Sequence, residues 1–258
     1  MNFSIDNLPL NTINNEDCIE FMKRLPSESL DLIIADPPYY KIVKDEWDNQ
    51  WKTEAEYLDW CNEWIFECKR ILKTTGSFYC YSSQQMATDI EIIIKKHFKF
   101  KRRLIWYRAD NQKQRTTMFN ESYEPITYAT KGHSFTFNNF NIQVPSKYAG
   151  TKHKRYDKDN KPFWKEVNPT KQCGDVWEIT KVKGGSKQDT KHKTQKPMDI
   201  CNRIVKASSN EKDIIYIPFG GSGSEIVSCI ENKRNYIATE IDKQYIDEII
   251  NVRIDKII

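Results

Sequence analysis

The residues with the clearest chemical content are Asp36-Pro37-Pro38-Tyr39. Consecutive prolines fix the backbone and remove two N–H donors. What remains is a surface of acceptors, the Asp36 carboxylate and the nearby carbonyls, beside the flat face of Tyr39. Such a surface suits a planar amine. The NH₂ donates to Asp36 and to a backbone carbonyl while the ring stacks on Tyr39. A rigid turn after a strand would explain the prolines alone, but not the acid and the aromatic that flank them.

A second cluster lies near the other end. The chain has only nine glycines, and three of them fall in Pro218-Phe219-Gly220-Gly221-Ser222-Gly223-Ser224. Glycines there let the backbone approach a ligand, and the helix that follows offers free N–H donors. A tight strand-to-helix turn would use the same glycines. The next apolar run adds to the functional reading, because Tyr236-Ile237-Ala238-Thr239 ends in Glu240, nineteen residues after Gly221. An acid roughly 20 residues beyond such a turn holds ribose hydroxyls in nucleotide-binding α/β sheets.

Both clusters need strands that end in one place. Leu30 to Ala35 (LDLIIA) reads as a strand buried on both faces. Tyr57, Trp60, Cys61, Trp64, Ile65, Cys68, Ile71 and Leu72 form the stripe of one helix, and Gly76 is expected to end the turn after it. Residues 78–81 and 103–107 read as strands, and 84–97 as a helix. Towards the C-terminus, 198–208, 224–232 and 242–254 read as helices, and 213–217 and 235–239 as strands. The alternation predicts an α/β fold, a mostly parallel sheet covered on both faces. Ligands bind such sheets at the carboxyl ends of the strands, where both clusters fall.

Charge separates the middle of the chain from its ends. The 258 residues carry 40 Lys and Arg against 36 Asp and Glu, a net +4. Between Lys95 and Lys196 there are 24 basic and 9 acidic residues; elsewhere there are 16 and 27. Residues 108–121 are polar without periodicity. Residues 132–191 mix lysines with Phe135, Phe137, Phe140, Tyr148, Tyr156, Phe163, Trp164 and Trp177. A solvated insert would explain the lysines, whereas basic residues interleaved with rings fit nucleic acid better. No apolar run approaches the roughly 20 residues of a membrane span, and the first residues do not read as a signal segment. Seven cysteines without a C-x-x-C pair read as free thiols of a cytoplasmic protein, and the four scattered histidines suggest no metal.

In this order the motifs resemble the β class of amino-group DNA methyltransferases. There D/N/S-P-P-Y/F holds the target base, F-x-G-x-G lines the S-adenosylmethionine pocket, and the recognition region lies between them. The resemblance spans nearly the whole chain. Asn15-Glu16-Asp17-Cys18 is similar to the acidic motif that reaches the cofactor's adenine, and Thr194-Gln195-Lys196-Pro197 to the T-x-K-P at its methionine end. Leu104-Ile105-Trp106, Glu124-Pro125-Ile126 and Asp175-Val176-Trp177 resemble the family's intervening elements. The resemblance implies a Rossmann-like, mostly parallel seven-stranded sheet with helices on both faces and an inserted basic target-recognition region. Residues 1–131 would form the catalytic half, 132–191 the recognition region and 192–258 the cofactor half.

By the same resemblance, Asp36, Pro37, Pro38 and Tyr39 are catalytic. Asp17, Cys18, Asp36, Thr194, Lys196, Pro218, Phe219, Gly221, Ser222, Gly223, Glu240 and Ile241 hold S-adenosylmethionine, without a metal. Arg108, Lys113, Arg115, Lys152, Lys154 and Arg155 touch double-stranded DNA. The implied reaction is methyl transfer to N6 of a flipped-out adenine, since cytosine-N4 members usually carry Ser at the first position. β-class relatives are often dimers. Two positions depart from the family: Ile217 stands where an acid usually precedes Pro-Phe, and Ser224-Glu225 stand where paired threonines follow the last glycine. They are expected to weaken a cofactor contact and to alter a helix start. A catalytically silent DNA-binding homologue, a cytosine-N4 enzyme and an RNA or protein-amide methyltransferase therefore remain alternatives. A nicotinamide oxidoreductase has no use for D-P-P-Y.

Overall fold

A computed structural model of the chain describes residues 2–42, 48–108, 116–186, 188–190, 192 and 194–257. The strands are β1 (Thr12–Asn14), β2 (Leu30–Ala35), β3 (Leu72–Tyr81), β4 (Lys99–Tyr107), β5 (Tyr123–Thr130), β6 (Val144–Pro145), β7 (Lys152–Tyr156), β8 (Pro162–Glu166), β9 (Thr170–Lys171), β10 (Val176–Glu178), β11 (Ile214–Ile217) and β12 (Asn235–Thr239). Eight of them form one sheet in the order β1-β12-β11-β2-β3-β5-β4-β10. Every pairing is parallel except the two made by β5, which runs antiparallel between β3 and β4. The mostly parallel sheet is as the family resemblance implies, and the short β10 adds an eighth strand beyond β4.

Period-two alternation sends side chains to two separate cores. From β2, Ile33 and Ala35 pack on one face while Leu32 and Ile34 pack on the other. Phe78 and Cys80 of β3 join the first face, and Tyr79 and Tyr81 the second. Helices α1 (Cys18–Arg24), α2 (Glu54–Ile71) and α3 (Ala87–His97) cover the first face. Helices α4 (Met198–Ser208) and α5 (Ser224–Glu231) cover the second, with a C-terminal helix made of α6 (Lys243–Tyr245), a π-turn Ile246–Ile250 and α7 (Asn251–Ile254). Each fully buried large apolar side chain contributes about 1.5–3 kcal/mol, so two filled faces hold the strand ends firmly.

Two expectations change in detail. Gly76 lies inside β3 rather than in a turn; a Cβ there would meet Leu72 Cδ1 at 2.5 Å and the Asp31 carbonyl at 2.9 Å. Close packing, not chain reversal, accounts for this glycine. The helix read from 84 starts at Ala87, and the Ser83 hydroxyl accepts the Met86 N–H just before it.

Candidate active site

The parallel strands deliver their carboxyl ends to one edge. β1 leads into Asn15–Cys18, β2 into the D-P-P-Y turn, β11 into the glycine loop and β12 into Glu240. Asn15 Nδ2 donates to the carbonyls of Glu240 and Ile241, both at 2.9 Å, and ties the ends of β1 and β12 together. Asp17 caps α1 by accepting from the N–H groups of Ile19 and Glu20 on one oxygen, Oδ1. Its other oxygen faces no protein donor among the described residues, which leaves it an acceptor for an amine.

The glycine loop is held by backbone geometry. Gly221 and Gly223 have φ of +47° and +71°, left-handed conformations that disfavour other residues. Glu240 accepts from the Gly221 N–H at 2.7 Å and from the Asp242 N–H at 2.9 Å, one bond to each oxygen. Each oxygen keeps a lone pair for a ribose hydroxyl. Burial pushes the Glu240 carboxyl up, and those N–H groups pull it back. Phe219 is wedged edge-on against Trp64 and beside Trp60, which fixes the start of the loop.

Asp36 sits in a charged cluster. Its Oδ2 accepts from Lys196 Nζ at 2.7 Å, and its Oδ1 lies 2.9 Å from the Tyr39 hydroxyl. The same hydroxyl is 2.7 Å from Glu124 Oε1, and Lys196 Nζ lies 3.1 Å from that oxygen. Lys196 is almost wholly buried, 4.9 Å above the Tyr81 ring. Burial alone would lower its ammonium; Asp36 and Glu124 overcome that and hold it well above the ordinary lysine value. Burial raises the Asp36 carboxyl, Lys196 draws it down, and the charge on Glu124 raises it again. Glu225, buried in the first turn of α5, is raised by burial and then by Asp36. One ammonium thus lies between two carboxyl groups, and Glu225, which also feels the Arg253 guanidinium, completes an acidic wall that favours a further positive charge.

Two cavities meet at this cluster. The first, ≈ 340 Å³, is lined by Asp17, Cys18, D-P-P-Y, Thr194, Lys196, the loop from Pro218 to Ser222, Glu225, Glu240 and Ile241. The second, ≈ 230 Å³, is lined by Ser83, Gln84, Trp106, Arg108, Glu124 and Gln195 among others. Tyr39, Thr194 and Lys196 border both. The cofactor residues expected from the sequence therefore fall around one cavity. Gly223 is the exception; it does not line the cavity but packs under the loop against Ile250.

Glu124 and Glu225 join the site although no motif assigns them to it. Glu124 reaches the site because β5 is antiparallel: its first residues lie at the edge where β3 and β4 end, with Glu124 opposite Trp106. In the sequence only the Glu124-Pro125-Ile126 resemblance points to it. Glu225 leaves the helix start intact, since α5 begins at Ser224 behind a left-handed Gly223, and an acid in a first turn suits the helix dipole. Ile217 is buried in the core on the α4–α5 face and does not line either cavity.

The DNA-directed residues separate. Arg108 lines the second cavity, its guanidinium 5.5 Å from the Trp106 ring and its Nε without a partner among the described residues. Lys113 and Arg115 lie outside the described residues. Lys152, Lys154 and Arg155 are exposed on β7, far along the sequence from the cavities. Arg103 on β4 donates from Nε and one Nη to the two oxygens of Glu91 at 2.7 and 2.8 Å and is engaged within the chain.

A sheet of this topology, with D-P-P-Y and a glycine loop at one edge, defines a class, and the comparisons agree. Residues 30–251 match a family of DNA methylases, and the chain belongs to that family. It is 36% identical over 238 residues to the DNA adenine methyltransferase YhdJ of Escherichia coli K12, covering 91% of this chain and 80% of the relative. It is 33% identical over 257 residues to the Type II methyltransferase M.HinfI of Haemophilus influenzae, covering 92% and 67%. Among solved structures, the M1.HpyAVI–SAM complex superposes with a TM-score of 0.65 at 20% identity, over 95% of this chain and 98% of that one. The cytosine-N4-specific PvuII DNA methyltransferase superposes at 0.70 with 14% identity, over 91% and 83%. These two likenesses bear on fold.

Proposed function

We propose that the chain transfers a methyl group from S-adenosylmethionine to N6 of an adenine flipped out of double-stranded DNA. The observation that carries this reading is the place of Asp36, which lines the larger cavity and is bound to a ring and a cation that border both cavities, Tyr39 and Lys196. The larger cavity suits the cofactor. Glu240 and the glycine loop match a ribose, Asp17 has an oxygen left for the adenine amine, and the acidic wall matches a cation. S-adenosylmethionine, when bound, supplies an electrophilic sulfonium methyl. The neighbouring cavity takes the target base.

The chemical difficulty is the N6 lone pair, which is delocalised into the purine ring. An NH₂ that donates to Asp36 Oδ1 and to the Pro37 carbonyl is drawn towards tetrahedral geometry, and its lone pair is freed. Asp36 then stabilises the positive charge that develops on nitrogen. Lys196, on Oδ2, fixes the carboxylate and leaves Oδ1 for the amine. The Tyr39 hydroxyl has one proton and two carboxylate neighbours. It yields Oδ1 to the substrate and keeps Glu124, so its ring is held while the base stacks on it. Fixed alignment of the reactants supplies the rest of the acceleration. A base inside a duplex cannot reach this site, so extrusion is required. Asp rather than Ser at position 36 and the adenine-specific relative support adenine over cytosine.

Under this reading, residues 1–131 and 192–258 are the catalytic and cofactor halves, and 132–191 is the recognition region. Arg108, at the second cavity, meets the DNA next to the flipped base. The test is Asp36→Ala. Methylation of duplex DNA should fall by about 10³-fold, the scale of losing one transition-state contact. Binding of S-adenosylmethionine by calorimetry should persist. Retained turnover refutes the assignment.

A further inference from the structure

Strands β7 and β8 form an antiparallel ribbon whose ten residues are all exposed. It has no buried face. Trp164, Tyr156 and Phe163 are nevertheless 67%, 58% and 44% exposed upon it. An isolated two-stranded ribbon is marginal in water, so one that is bare on both faces is surface left for a partner. The ribbon is also well defined locally. Asp157 Oδ1 accepts from the N–H groups of Asp159 and Lys161 at 2.9 and 2.8 Å and closes the turn. At its base the pairing resumes through Val167 N–H to the Thr151 carbonyl, and β6 pairs with β9 beyond. The result is a preformed arm.

The register sorts its side chains. Lys154 lies opposite Trp164, Lys152 opposite Glu166 and Tyr156 opposite Pro162, all on one face. Arg155 lies opposite Phe163 and His153 opposite Lys165 on the other. The second face carries two cations, no acid, the Phe163 ring and the His153 imidazole. The major groove of B-DNA, about 12 Å wide, admits a two-stranded ribbon, and guanine there offers N7 and O6 to a forked donor such as Arg. Strands lie about 4.8 Å apart, so the ribbon and its side chains fill that width.

We infer that this arm lies in the DNA major groove with the Arg155–Phe163–Lys165 face against the base edges, and that Arg155 reads a purine of the recognition site. The inference rests on the methyltransferase reading and adds to it the element, the groove and the face. Arg155 donates to purine N7, Phe163 beside it packs on a base edge such as the thymine methyl, and Lys152 and Lys154 on the outer face reach phosphates.

Sequencing DNA from cells that express the protein, with detection of modified bases, gives the methylated site. Duplexes are then made in which each purine of that site is replaced in turn by its 7-deaza analogue, which pairs normally but lacks N7. For the wild-type chain, kcat/KM should fall about tenfold or more at one position at least. Arg155→Ala should lose a similar factor on the normal duplex and distinctly less on that 7-deaza duplex, where at most the O6 contact of a guanine is left to lose. Arg155→Lys, with no fork, should fall between. Thermal stability and S-adenosylmethionine affinity should not change, because Arg155 is exposed. If Arg155→Ala matches the wild type on the normal site, or if its loss adds in full to the deaza loss at every position, the ribbon does not read bases and the inference is overturned. A wild-type chain that methylates no DNA would instead overturn the methyltransferase reading, and the ribbon as a reader with it.

Discussion

The α/β body and the arm from Val144 to Lys171 hold their charges in opposite ways. In the body the decisive charges are buried and mutually bound: Lys196 is 3% exposed and lies between Asp36 and Glu124. On the ribbon of the arm every residue, including Lys152, Lys154 and Arg155, is exposed. A buried ion pair is costly to form and more costly to break, so it enforces one geometry. An exposed cation enforces nothing until a partner arrives, and its worth is released only on contact with that partner. The body is therefore organised before substrate arrives, and the ribbon is organised for a surface it has yet to meet.

The largest effect that could break this contrast comes from removing the body's cation. Lys196→Met leaves Asp36, Glu124 and Glu225 with no ammonium among them. The expected loss of stability is about 3 kcal/mol, read as the shift in a urea midpoint at constant slope. S-adenosylmethionine should bind no more weakly than this instability explains, since its own positive charge is welcome there. A Lys196→Met chain as stable as wild type would mean that the cluster is not held by its ion pairs, and the body would then resemble the ribbon.

This contrast also governs how much could be read from the residues alone. D-P-P-Y, the glycine loop and Glu240 are legible because each follows a strand directly, and a parallel sheet brings all such ends together. Glu124 is not legible in that way. It precedes the core of its strand, and only the antiparallel course of β5 returns it to the active edge. Glu225 is visible as a departure from the family, but its burial beside Cys201 and Asp36 is a tertiary fact. Gly76 shows the opposite error, a glycine read as a turn where the chain needs close packing. The ribbon escapes sequence reading altogether. A strand is recognised by alternation between a buried and a wet face, and residues 152–166 have no buried face to alternate with.

A smaller effect sharpens the other side of the comparison. Lys152→Gln combined with Lys154→Gln removes two exposed cations. Stability should stay within about 0.5 kcal/mol of wild type, because neither side chain supports the fold. DNA affinity should drop, and the slope of log affinity against log salt should flatten by about 2, near 0.9 for each lost phosphate contact. An unchanged slope would take both lysines off the phosphates and leave the ribbon without its outer grip.

The smallest effect is a pH response confined to the body. Burial holds the carboxyl groups of Asp36, Glu225 and Glu240 above their ordinary values of about 4. For an acid whose folded value is raised, the stabilising term is complete below the unfolded value and is lost as pH rises through the folded one. Ionising these groups therefore costs the cofactor-free chain stability. A cation in the cavity offsets that cost, so its binding should tighten as pH rises through the same window. S-adenosylhomocysteine is the matched control, because it lacks the sulfonium charge and shares the rest of the molecule. The ratio of the two dissociation constants should shift in favour of S-adenosylmethionine by a few-fold as pH rises above the ordinary carboxyl value of about 4, within the roughly 1.4 kcal/mol that one unit of pKa represents. Glu225→Gln should flatten this trend, and Lys152→Gln with Lys154→Gln should leave it as in wild type. A ratio that does not move with pH would mean that the acidic wall does not sense the sulfonium. The cavity would then select its ligand by shape and hydrogen bonds alone.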